Sequence, residues 1–223
     1  KGLSKKEISE ATRLPENGTL TKILENLSNS GFIRPYNYYG NKKKLTTYQL
    51  ADYYTLFYFR FLKDQNGKDE NFWQNTLDNP SKRTWCGYSF EQVCKDHIDK
   101  IKDKLGISGV LTERSSWSSK GETGAQIDLV IERRDRIIDL CEMKFSLSEF
   151  TIDKNYDLAL RNKMETFRTE TKTKKALHLI FITTYGLKHS MYSGIAQAEV
   201  KAMTCFKRTK FLHSDYAQDF TIA

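Results

Sequence analysis

Apolar residues in this chain fall into dense groups, and their spacing predicts the elements. In Gly124–Phe145 they form two runs, Ala125–Ile131 and Ile137–Phe145, split by the charged step Arg133–Arg136. Two such runs around a polar turn predict a β-hairpin. Upstream, Phe90, Val93, Cys94, Ile98, Ile101 and Leu105 recur at helical spacing until Gly106, and Gly109–Trp117 reads as a strand. Downstream, Tyr156, Leu160, Met164 and Phe167 make the inward stripe of a long helix over Glu149–Lys172. Ala176–Thr184 is a continuous apolar run, the pattern of a central strand, and Glu199–Phe206 reads as a last strand. Helix, three strands, helix, strand is an α/β order.

The first fifty residues are patterned differently. Ser4 followed by Glu7 is a capping-box pair and predicts a helix to about Arg13. After a turn at Pro15, Asn17 and Gly18, a second helix is expected over Thr19–Asn29, with Leu20, Ile23, Leu24 and Leu27 inward and Gly31 as its stop. Phe32–Tyr38 and Leu45–Leu50 then predict a hairpin around the loop Tyr39–Lys44. Tyr48–Leu62 is apolar around most of a helix and predicts a buried connector. Pro80–Gly87 predicts a loop with Trp85 as its anchor. The expected organisation is a compact unit at 1–50, a connector at 51–86 and a larger domain at 87–223.

Charge sharpens this division. The chain has 223 residues and a formal net charge of +8. Nine Lys/Arg against four Asp/Glu fall in residues 1–50, leaving 27 against 24 for the rest. An anionic partner at the N-terminal unit is one explanation, and a solvated basic surface is another. No segment approaches the roughly 20 apolar residues of a membrane span. The four cysteines form no CxxC pair, so reduced thiols in a cytoplasmic protein are expected. The chain starts at Lys1 without an initiator Met, and a piece of a longer protein is expected.

Three charges interrupt the apolar hairpin: Asp128 on its first strand, Glu142 and Lys144 on its second. Glu142 and Lys144 are two apart and share a strand face, and a turn near Asp135 sets Asp128 roughly across from Glu142. Burying such charges costs several kcal/mol unless they are paired or hold a metal. Two carboxylates beside an ammonium suit Mg²⁺ or Mn²⁺, a polarised phosphodiester and a bound water of lowered pKa. A sheet edge on which Asp128 and Glu142 simply pair with Lys144 is the plainer reading. The four His residues are scattered, and His178 in its apolar run is expected to be a satisfied core residue. The chain has no nucleophile elbow, HExxH or P-loop, so ATP binding by these residues is not expected.

With Glu91 on the preceding helix, Asp128 and the Glu142-Met143-Lys144 step resemble the PD-(D/E)XK nuclease superfamily over roughly residues 88–206. That resemblance implies Asp128 and Glu142 as metal ligands, Glu91 as an auxiliary ligand and Lys144 as the group that positions the attacking water. It also implies a restriction-endonuclease-like α/β domain with a central mixed sheet flanked by helices. Residues 1–50 resemble a winged helix-turn-helix in layout. In a DNA-binding member, Thr19, Lys22, Glu25 and Asn26 would face the major groove, and Lys42, Lys43 and Lys44 would meet phosphates. A winged helix used for protein packing has the same layout.

The whole order, with Tyr53–Leu62, Gly87–Glu91, Ile127–Leu129 and Cys141–Lys144, resembles the C-terminal part of a family of archaeal-type AAA ATPases. That resemblance implies a preceding P-loop ATPase domain as partner and a DNA-directed or regulatory role for this piece. A metal-dependent nuclease and a non-catalytic nucleic-acid- or protein-binding module both remain open on the sequence.

Overall fold

The computed structural model describes residues 2–40, 46–63, 71, 73, 79–119, 121 and 124–205. Its N-terminal unit contains β1 (Leu3–Ser4), α1 (Lys5–Thr12), α2 (Gly18–Asn29), β2 (Ile33–Tyr36) and β3 (Thr47–Leu50). The capping box forms as expected: Ser4 Oγ accepts from the Glu7 N–H at 3.2 Å, and the Glu7 carboxylate accepts from the Ser4 N–H at 2.7 Å. Helix α2 begins one residue before its predicted start, because Asn17 Oδ1 caps it by accepting from the Leu20 N–H at 3.2 Å. Gly31 then leaves the helix at φ +76°, a left-handed geometry that favours glycine. The strands form an antiparallel sheet in the order β1-β3-β2. The two-residue β1 is too short to carry a sequence signal. Lys42, Lys43 and Lys44 lie outside the described residues.

Two expectations for the connector are corrected. Tyr48–Leu62 is not one helix: Tyr48–Leu50 belongs to β3, and α3 (Tyr53–Phe57) follows, capped by Asp52 and continued by a π-helical turn, Tyr58–Leu62. Nor is it buried throughout, since Tyr54 and Phe59 keep 70% and 58% of their surface. Pro80–Gly87 is not a loop. It forms the start of α4 (Pro80–Asp96), with Asn79 as N-cap and Pro80 in the first turn, where its missing N–H costs nothing. Trp85 does act as an anchor, its ring 5.6 Å from that of Phe57 and 5.5 Å from that of Phe61. The helix predicted to reach Gly106 breaks at His97 into α4 and α5 (Ile98–Lys104).

The larger part is a five-stranded mixed sheet in the order β4-β5-β6-β7-β8. Strands β4 (Thr112–Ser118), β5 (Gln126–Arg133) and β6 (Ile137–Lys144) run antiparallel, and β7 (Ala176–Thr183) and β8 (Ala198–Lys201) continue parallel to β6. Helix α6 (Lys154–Thr171), capped by Asp153, makes the crossover that a parallel β6–β7 pair requires. The last strand is shorter than predicted: β8 ends at Lys201, and a short helix, α7 (Ala202–Cys205), follows it.

Each face of the sheet has its own core. On the α6 side, Trp117, Ile127, Val130 and Leu140 pack with Leu160 and Phe167. On the other, Leu129, Cys141, Met143 and Ile182 pack with Cys94 of α4 and with Ile98 and Ile101 of α5. Cys94 and Cys141 are both buried. Among the described residues no helix is long and apolar enough to cross a membrane.

Candidate active site

Strands β5 and β6 pair from Glu132↔Ile138 to Leu129↔Cys141. The next rung would join Asp128 and Glu142, so both carboxylates sit at the open end of the ladder, level in register. The placement predicted from the turn therefore holds. A β-bulge modifies where the side chains go. Ser115 opposes Val130 but Trp117 opposes Ile127, so β5 carries one extra residue against β4. Side-chain alternation breaks across it: Ile127 joins the α6-side core while Leu129 joins the α4-side core. The bulge turns Asp128 toward α4, where it lines a cleft with Glu91, Lys95 and Leu129.

Glu91 and Asp128 form one half of the site. Burial, and next the charge of Asp128, push the Glu91 carboxyl up to about 7 against the pull of Lys95 and Lys144. Glu142 adds a smaller push in the same direction. The charges of all the predicted site residues thus reach Glu91. Asp128 is steadied by Gln126, whose amide donates to Oδ1 at 2.6 Å.

Glu142 and Lys144 form the other half, facing α6. Glu142 is 8% exposed. Its Oε1 accepts from the Tyr156 hydroxyl at 2.6 Å and lies 3.1 Å from Lys144 Nζ, while Oε2 accepts from Lys163 Nζ at 2.8 Å. Burial opposes its ionisation, but Lys163 and Lys144 outweigh burial and hold its pKa below the usual carboxylate value. The phenol of Tyr156 is pushed up by its own burial and by the Glu142 charge. Lys144 Nζ stands 5.7 Å from the centre of the Tyr156 ring. Among the described residues no three Asp, Glu, His or Cys side chains are gathered into a group that could hold a metal.

Lys163, Tyr156 and Gln126 are the site residues that pattern reading missed. A signal for Lys163 existed: it lies seven residues, two helical turns, after Tyr156 on the inward face of α6. It was masked by the alternating charges around it. Of the residues predicted to meet nucleic acid, Thr19, Lys22, Glu25 and Asn26 are exposed on α2, well apart in sequence from this site. Comparisons with protein-family profiles, curated proteins and solved structures found no match to the chain.

Proposed function

We propose that the chain is a divalent-metal-dependent phosphodiesterase of PD-(D/E)XK type, acting on DNA and preceded in sequence by a winged helix. The observation that carries this is that Asp128 and Glu142 stand level in register at one open end of a mixed sheet, with Glu91 beside Asp128 on the α4 side and Lys144 beside Glu142 on the α6 side. The supporting element order is helix, three antiparallel strands, crossover helix and parallel strand.

The carboxylates that would hold Mg²⁺ or Mn²⁺ are Glu91 and Asp128 on the α4 side and Glu142 on the α6 side, and they are not gathered into one group in this structure. Glu91 and Asp128 are two carboxylates that repel across a half-buried cleft, which a dication would relieve. Glu142 would join them only by giving up its ion pairs with Lys163 and Lys144. When bound, the metal supplies Lewis-acid polarisation of the phosphodiester and a water of lowered pKa. The chain's own groups do the rest. Lys144, held by Glu142 and backed by the Tyr156 ring, is an ammonium able to stabilise charge on the phosphate oxygens. Lys163 keeps Glu142 ionised in a buried setting. Glu91, its carboxyl pushed up to about 7, would give up its proton on ligating a dication.

A second reading has its own support. Glu142 is already fully paired by two ammonium groups and a phenol, which suits a structural ion-pair network in a non-catalytic nucleic-acid- or protein-binding module. Under either reading, a partner P-loop ATPase domain is what the family resemblance implies, and a cytoplasmic setting is what the cysteine usage suggests. Plasmid nicking separates the two. The nuclease reading expects Mg²⁺- or Mn²⁺-dependent nicking lost in Lys144→Ala and Asp128→Ala. Nicking absent from the wild type, or retained in both variants, sinks it.

A further inference from the structure

The cleft that contains Glu91 and Asp128 is roofed. The chain just beyond β2 is fastened to β4: the Ser116 N–H donates to the Asn37 carbonyl at 3.1 Å, and the Tyr39 N–H donates to the Ser116 carbonyl at 2.6 Å. On the opposite side Arg34 of β2 donates to Gln92 Oε1 at 2.9 Å and pairs with Asp96. Gln49 of β3 donates to the Tyr88 hydroxyl at 3.1 Å. The N-terminal hairpin is therefore held along both α4 and β4, and the space beneath it is a slot of about 730 Å³.

The walls of this slot are chemically mixed in a specific way. Tyr36, Tyr38 and Tyr88 contribute rings, and Lys95 and Arg114 contribute cations. Gln92 and Ser116 also line the slot, with Gln92 Nε2 and Ser116 Oγ buried and lacking a hydrogen-bond partner among the described residues. Rings for flat faces, together with cations for anionic oxygens, match a sugar-phosphate chain with unpaired bases. The volume lies within the roughly 300–1,000 Å³ of small-ligand sites, enough for a nucleotide or two but not for a duplex.

We infer that this slot is the channel for a single nucleic-acid strand, carrying a phosphodiester to Glu91 and Asp128 while base-paired duplex is kept out. The inference rests on the nuclease reading for what happens to the strand, but strand binding itself is independent of cleavage. The test is fluorescence anisotropy of the full chain in EDTA, using a labelled oligothymidylate and a blunt duplex of equal length. The strand binds at least about tenfold more tightly than the duplex, and Tyr38→Ala or Lys95→Gln weakens the strand by about five- to tenfold. Photocrosslinking a bromouracil-substituted strand to the unmodified chain places adducts on Tyr36, Tyr38 or Tyr88, whatever the folding of the variants.

Equal affinity for duplex overturns the inference. So do folded variants that bind like the wild type, or adducts confined to α2. Strand binding without metal-dependent cleavage keeps the channel and removes the nuclease reading. Cleavage of duplex with no strand preference does the reverse.

Discussion

Glu91→Gln isolates the electrostatic tension at the site. The folded carboxyl titrates at about 7 against an ordinary 4.5, because burial and the charge of Asp128 both disfavour its ionised form. Between those values the folded chain holds a proton that the unfolded chain has lost, so stability falls as pH rises. Each tenfold change in proton affinity is worth about 1.4 kcal/mol, so the displacement corresponds to about 3 kcal/mol above pH 7 and to nothing below pH 4.5. Solvent reaching the partly exposed group lowers this, and about 1–3 kcal/mol is the working range.

Glutamine keeps the shape and does not titrate. The variant is therefore more stable than the wild type by about 1–3 kcal/mol near pH 8, with the difference disappearing near pH 4. Urea unfolding in EDTA at several pH values measures it. A stability difference that is constant with pH, or that grows toward acid, refutes the reasoning.

The same logic with opposite sign applies to Glu142, whose pKa is lowered once Lys163 and Lys144 outweigh burial. Its stabilisation is present above the usual carboxylate value and is lost as pH falls through the lowered one. Lys163→Met leaves Glu142 short of one buried partner and destabilises the fold by about 1–3 kcal/mol at neutral pH. Thermal unfolding across pH shows that penalty shrinking in acid; a penalty independent of pH contradicts it. Phe167, fully buried between Trp117 and Tyr39, joins the sheet to α6, and Phe167→Ala costs about 3–5 kcal/mol by urea titration. A loss below about 1 kcal/mol removes α6 from the cooperative core.

The sheet is largely legible in the chain because its elements have strong periods. The two hairpin runs and the Ala176–Thr184 run correspond to β5, β6 and β7 within two residues of their predicted ends. The Tyr156, Leu160, Met164, Phe167 stripe is the packed face of α6. The pattern misleads where a local signal is ambiguous. Pro80 suggests a loop, although proline equally opens a helix when an Asn precedes it. The aromatic run at Tyr48 suggests one helix, but its first residues serve β3. At the site, the turn places Asp128 level with Glu142. A single-residue bulge, invisible in the apolar pattern, then sends Asp128 toward α4 and leaves Glu142 with α6. Asp139, fully buried with Arg133 Nη1 at 3.5 Å and His178 Nδ1 at 3.7 Å, gives no warning because its partners are remote in pattern. His178 Nδ1 thus approaches a buried carboxylate from a sheet position expected only to be core.

Calorimetric titration of Mn²⁺ into the wild type and into an Asp128→Ala, Glu142→Ala double variant tests the central claim most directly. The wild type is expected to bind Mn²⁺ more strongly as pH rises through about 7, as Glu91 loses its proton, and the double variant not to bind. Absence of binding in the wild type, or equal binding in both, contradicts it.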